Sequence, residues 1–188
     1  MPAAGDPVAT TGAVADPMTI ATLNALSAAG AATALAPLFE GAQGFLGRLV
    51  AARPFGSWSG LFEQGRAIAL GMPEAEQIEL VDAHPRLGAP PGSVSALSFV
   101  EQGYGADLAD AAAEAERSRI DAELASLNDA YEARFGFRYC VFAAGRPRAA
   151  LLLEMEAALA ADRDDELHRA VDAVVDIAEA RLAAPQGS

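Results

Sequence analysis

The feature that most constrains this chain is the rhythm of its interruptions. Alanine-rich stretches with apolar residues at helical spacing are cut repeatedly by proline or glycine, so few helix-forming runs go far before they are stopped. Alanine forms helices well and adds little volume, so the helices it builds can approach closely. With 17 glycines and 11 prolines in 188 residues, the pattern predicts several short helices. Strand-like character is confined to one short apolar run, Tyr139 to Ala143. The length suffices for one domain with a sizeable core, and no internal repeat or linker divides it.

The expected organisation is a disordered tail over residues 1–16, then a single all-α domain over 17–184, a bundle of about eight helices. Two short helices fit Leu23 to Phe39, and another fits Gly44 to Arg53. Ser57 is placed to cap the next. Pro73 opens a helix through Ile78 and Val81, and Pro85 stops it at His84. A short helix is expected from Ser95 to Tyr104 and a long one from Asp107 to about Arg134. Pro147 starts another, and Asp164 or Asp165 caps the last, which runs through Val171 and Val174 to Leu182.

The formal net charge is −13, and every basic side chain is arginine. That balance argues against nucleic acid and anionic membrane surfaces as partners, though a small anionic substrate can still find a local pocket. The single Cys140 permits no intramolecular disulfide and reads as a buried, inert thiol. One cysteine and two histidines supply few metal ligands, so no metal is expected. No apolar stretch is long enough to span a membrane and no basic leader is evident, so a cytoplasmic location is expected.

Three places carry candidate chemistry. His84 lies at a helix C-terminus, where the dipole favours its cationic form, and its ordinary pKa near ~6.5 suits proton transfer. Its plainer role is to cap that helix. Ser98, Glu101 and Gln102 share one helical face and join a hydroxyl, a carboxylate and an amide; the same spacing also reads as a capping box. Tyr139 to Ala143 can offer backbone groups to a ligand or lie in the core. Arg53, Arg146 and Arg148 could meet a carboxylate or stay at the surface, and His168 reads as exposed and without a role.

The ordered set Arg53-Pro54-Phe55, Ala83-His84-Pro85-Arg86-Leu87-Gly88, Ser98-x-x-Glu101-Gln102, Leu127-Asn128-x-x-Tyr131-x-x-Arg134-Phe135-Gly136-Phe137 and Ala143-x-Gly145-Arg146 resembles one family. It is that of 2-oxo-4-hydroxy-4-carboxy-5-ureidoimidazoline (OHCU) decarboxylase, and the likeness runs from about Thr19 to Leu182. The resemblance implies an all-α fold, often a homodimer, and cofactor-free conversion of OHCU to (S)-allantoin in urate breakdown. It implies that His84 is catalytic, with Glu101 orienting it or the substrate hydroxyl. It places Pro85, Ser98, Gln102 and the segment Tyr139, Cys140, Val141, Phe142 and Ala143 in the substrate pocket, the segment binding largely through its backbone. Two departures touch that pocket: Arg138 stands where a proline is often found, and Ala144 where some members have arginine. Two rival readings remain, an enzyme for another small imino or keto acid and a non-catalytic helical interaction domain. The second predicts a solvent-filled or collapsed pocket between His84 and Glu101, and side chains far apart would favour it.

Overall fold

The computed structural model describes residues 18–102 and 111–184. Among them are nine α-helices, one 3-10 turn at Pro91–Ser93 and no β-strand. The helices are α1 (Ile20–Ala25), α2 (Ala28–Leu35), α3 (Gln43–Ala51), α4 (Trp58–Gly71), α5 (Glu74–Asp82), α6 (Ala96–Glu101), α7 (Ala111–Phe135), α8 (Arg148–Ala158) and α9 (Arg163–Ala183). None is long and apolar enough to cross a membrane. The expected tail, residues 1–16, lies outside the described residues, as does the junction between α6 and α7.

Capping side chains set several of the starts. Ser27 accepts from the Gly30 N–H, and Ser57 accepts from the Gly60 N–H, so neither orphan donor is left to water. The last helix begins earlier than expected. Asp162, not Asp164 or Asp165, is its cap and accepts from the Asp164 N–H. That leaves Asp164 and Asp165 in the first turn, where the helix dipole also favours them.

Helix α9 is the spine of the molecule. Leu167, Ala170, Val171, Val174, Val175 and Ala178 recur along its buried side, which packs on α4 and α5. Each fully buried valine or leucine contributes about 1.5–3 kcal/mol relative to an exposed one. Helix α3 packs against α2, α4 and α5, and α7 pairs with α8. Where α7 ends, Tyr131 meets Phe135, Phe137 and Tyr139 with ring centroids 4.6, 5.8 and 5.2 Å away. This aromatic cluster anchors the start of the segment after α7.

The motif Arg53-Pro54-Phe55 is a staple. The Arg53 guanidinium donates to the carbonyls of Leu23 and Leu26, and Asn24 exchanges two hydrogen bonds with the Phe55 backbone. Arg53 is thereby committed to the fold, and the expectation that it meets a substrate carboxylate does not hold. The segment Tyr139 to Ala143, expected to be strand-like, is irregular. It finds no strand partner because helices surround it, and arginine side chains take its carbonyls instead.

Candidate active site

His84 stands one residue beyond the cap of α5 and is buried, 4% exposed. The turn after it is built with side-chain hydrogen bonds. Gln102 Oε1 accepts from the Gly88 N–H at 2.8 Å, and Asn128 Nδ2 donates to the Leu87 carbonyl at 2.9 Å. Arg86 forms a forked pair with Glu132, with both contacts at 2.6 Å. Gly88 has φ +78°, and a Cβ there would sit 2.9 Å from Leu124 Cδ1, so backbone sign and packing both demand glycine. Arg138 completes the clamp by donating to the carbonyls of Asp82 and His84 at 2.7 and 3.1 Å. The arginine where a proline is often found is thus used to close the C-terminus of α5.

The imidazole points its two nitrogens at different surroundings. Nδ1 lies 3.4 Å from the Leu80 carbonyl, which can only accept, so this nitrogen carries the proton. Nε2 is then the lone-pair nitrogen, and it is buried without a hydrogen-bond partner among the described residues. Burial, reinforced by the positive charge of Arg181, pushes the His84 pKa down to about 4, against the opposing pull of Glu40 and the Leu80 carbonyl. The expectation that the helix end favours a cationic His84 is therefore reversed. Desolvation of the ring outweighs the dipole, and the side chain is a neutral base at neutral pH.

His84 lines a cavity of about 110 Å³. His84, Pro85, Ser98, Glu101, Gln102 and the whole of Tyr139–Ala143 line it, so every sequence-predicted site residue is brought to one place. His84 and Glu101 share its wall. Burial pushes the Cys140 thiol up to about 12, which keeps it protonated and inert. His168 is exposed.

Within that wall, three expectations change. Glu101 does not orient His84, because its carboxylate is forked onto Arg181 at 2.6 and 2.9 Å. The Gln102 amide oxygen is spent on Gly88, and its nitrogen lies 3.3 Å from the Arg86 carbonyl. Arg146 and Arg148, considered for the substrate carboxylate, are bound elsewhere. Arg146 holds Phe142, Ala143 and Glu154, while Arg148 holds Asp121 and the Gln102 carbonyl.

Two residues were not singled out by sequence. Arg181, from the last turns of α9, is 3% exposed and lines the cavity. Besides Glu101 it binds Glu40 at 2.8 Å, the Ser98 hydroxyl at 3.0 Å and the carbonyls of Pro37 and Leu38. Glu40 in turn accepts from Ser95 and Ser98. Burial alone would raise the Glu40 pKa, but these hydroxyls and the Arg181 charge hold it below the ordinary carboxylate value. Glu40 takes a left-handed backbone, φ +48°, which a non-glycine residue keeps only when its surroundings require it. The one available signal was Arg181 on the apolar face of α9. Among the described residues no three His, Cys, Asp or Glu side chains gather as a metal-ligand set.

The sequence matches the family described as OHCU decarboxylase over residues 24–183. The chain belongs to the OHCU decarboxylase family. A relative in this family's company is the uric acid degradation bifunctional protein PucL of Bacillus subtilis (strain 168), 30% identical over 149 residues. That alignment covers 79% of this chain, and the chain spans only 29% of PucL. Crystal structures of similar fold include an (S)-allantoin synthase, with TM-score 0.62 and 23% identity over 89% of this chain and 53% of that one. Another is an OHCU decarboxylase in the presence of (S)-allantoin, with TM-score 0.61 and 21% identity over 80% of this chain and 94% of that one.

Proposed function

We propose that the protein decarboxylates OHCU to (S)-allantoin, with His84 as the general acid–base. The single observation that carries the reading is a neutral, buried histidine that lines a cavity and whose lone-pair nitrogen has no partner among the described residues, in a chain of this family. In the substrate, the carbon bearing the carboxylate also bears a hydroxyl and adjoins a C=N bond. Cleaving its bond to the carboxylate releases CO2. The electron pair forms a carbon–carbon double bond, and the C=N pair moves to nitrogen, which takes a proton. The product is an enol.

The enol becomes allantoin when the hydroxyl loses its proton and the ureido-bearing carbon gains one. His84 Nε2 can accept the first proton and return one to carbon from a fixed direction, which sets the hand of the product. Such catalysis is worth about 10² to 10⁴ in rate. The substrate holds its own electron sink, so the scheme needs neither metal nor organic cofactor. An apolar wall, with Leu87, Val141, Phe142 and Ile177, favours loss of charge as neutral CO2. Ser98 and Gln102 shape the same wall with their polar groups already bonded to Glu40, Arg181 and the turn at Gly88, and Glu101, positioned through Arg181, faces the substrate hydroxyl.

A homodimer in the cytoplasm is part of the same proposal, and size-exclusion chromatography with light scattering checks the dimer. The activity test supplies urate, a uricase and a hydroxyisourate hydrolase, then adds this protein and follows circular dichroism. The expected result is (S)-allantoin appearing faster than the spontaneous racemate. No acceleration overturns the reading.

A further inference from the structure

The segment 141–144 is a wall with two faces. Val141, Phe142 and Ala144 line the cavity on one side and an open groove on the other. Two arginines lie in the groove and neither lines the cavity. Arg169 Nη1 donates to the Cys140 carbonyl at 3.0 Å. The Arg146 side chain donates to the Phe142 carbonyl at 2.6 Å and to the Ala143 carbonyl at 3.0 Å, and the Ala143 carbonyl also accepts from the Arg146 backbone N–H at 2.9 Å. Three carbonyls are therefore drawn to the groove side.

A trans peptide is planar, with its N–H directed opposite its C=O. The N–H groups that share those peptides belong to Val141, Ala143 and Ala144, and they point away from the two arginines. Among the described residues none of the three has a hydrogen-bond acceptor. Ala144 keeps a left-handed backbone, φ +49°, although it is not glycine. Meanwhile Arg181, the cation in the cavity wall, is already shared by Glu40 and Glu101, so it brings no surplus positive charge.

We propose that Arg146 and Arg169 are positioning residues that act from the reverse face of this wall. By holding three carbonyls outward they aim the N–H groups of Val141, Ala143 and Ala144 at an anionic oxygen of the substrate. The proposal rests on the decarboxylase reading of the cavity. Amide dipoles suit this chemistry better than a free cation. The carboxylate loses its charge in the reaction, and a full ion pair would stabilise the ground state more than the transition state.

Arg146 is the residue to vary, because Arg169 also satisfies the buried Glu166. Three variants separate the roles: Arg146→Ala, Arg146→Lys, and Glu154→Ala, which removes the outer partner of Arg146 but leaves its carbonyl bonds. Arg146→Ala should raise KM for OHCU about tenfold, with kcat and thermal midpoint little changed. Arg146→Lys should recover part of that loss, and Glu154→Ala should match wild type. Backbone NMR reads the peptides whether or not turnover occurs. The Ala143 amide resonance, whose peptide loses its carbonyl partner, should move most in Arg146→Ala, the Ala144 amide less because the backbone turn bond from the Arg146 N–H remains, and both should stay in Glu154→Ala. Unmoved amides, or an active wild type whose KM is indifferent to Arg146→Ala, overturn the proposal. A wild type inactive on OHCU defeats the decarboxylase reading alone, and the amide resonances then still decide the clamp.

Discussion

Two buried polar sites lie on either side of the Tyr139–Ala143 segment, and they are finished differently. Around Glu166, 3% exposed, every demand is met: Tyr131 donates at 2.7 Å, and Arg169 adds three contacts at 2.6–2.9 Å. Around His84, 4% exposed, one nitrogen is met weakly and the other by none of the described residues. Leaving a buried acceptor unpaired costs about 1–3 kcal/mol. A fold that satisfies Glu166 so fully could have satisfied His84 too. The difference teaches where to look for chemistry: a saturated polar site stabilises the fold, and an unsaturated residue that also lines a cavity, as His84 does and Asn128 does not, is open to a ligand.

The contrast breaks first at His84. His84→Ala should lower the rate of (S)-allantoin formation by about 10² to 10⁴ while the folded helical signal persists. Circular dichroism of product and protein reads both. The same change at the saturated site should do the opposite. Glu166→Ala orphans Tyr131 and Arg169, and should cost about 2–3 kcal/mol in a urea melt. The value stays at the low end of a broken buried pair because Arg169 reaches solvent.

A pH series sharpens the comparison further. His84 titrates at about 4 when folded against 6.5 ordinarily, so between those values the unfolded chain binds more protons. Its contribution is complete above pH 6.5, is lost as pH falls, and amounts to about 3 kcal/mol by pH 4. Urea melts across that window should show the loss in wild type and lack this component in His84→Ala. The smallest effect belongs to Tyr131→Phe, which removes one hydrogen bond to Glu166 and leaves the arginine fork. It should cost about 1.5 kcal/mol by thermal melt, without changing KM.

Much of this was legible in sequence, and the reasons are local. Proline and glycine mark chain ends and reversals through backbone sterics alone, so Ser57, Pro73 and Pro147 fall where α4, α5 and α8 begin. The ordered motifs brought His84, Ser98, Glu101 and Gln102 together because a family resemblance carries tertiary information that spacing does not. What stayed hidden depends on burial. The sign of the His84 shift is set by the desolvation of the ring, and a helix-end position says nothing of that. Arg181 reads as an ordinary cation in a last helical turn until α6 and Glu40 are seen to close over it. Glu40 carries no sequence signal, since its left-handed backbone and its two serine partners from the α6 end exist only in the fold. Gln102 and Arg138 look like pocket residues, yet both are used to hold the turn around His84.

The central claim is that a neutral His84 is the working base, and the pH dependence of kcat/KM for OHCU tests it most directly, because that profile reports the ionisation of the free enzyme. With the spontaneous reaction subtracted, kcat/KM should hold steady from pH 8 down to about 5 and fall only near 4, where His84 gains its proton. A fall centred near 6.5, the ordinary histidine value, would contradict the account.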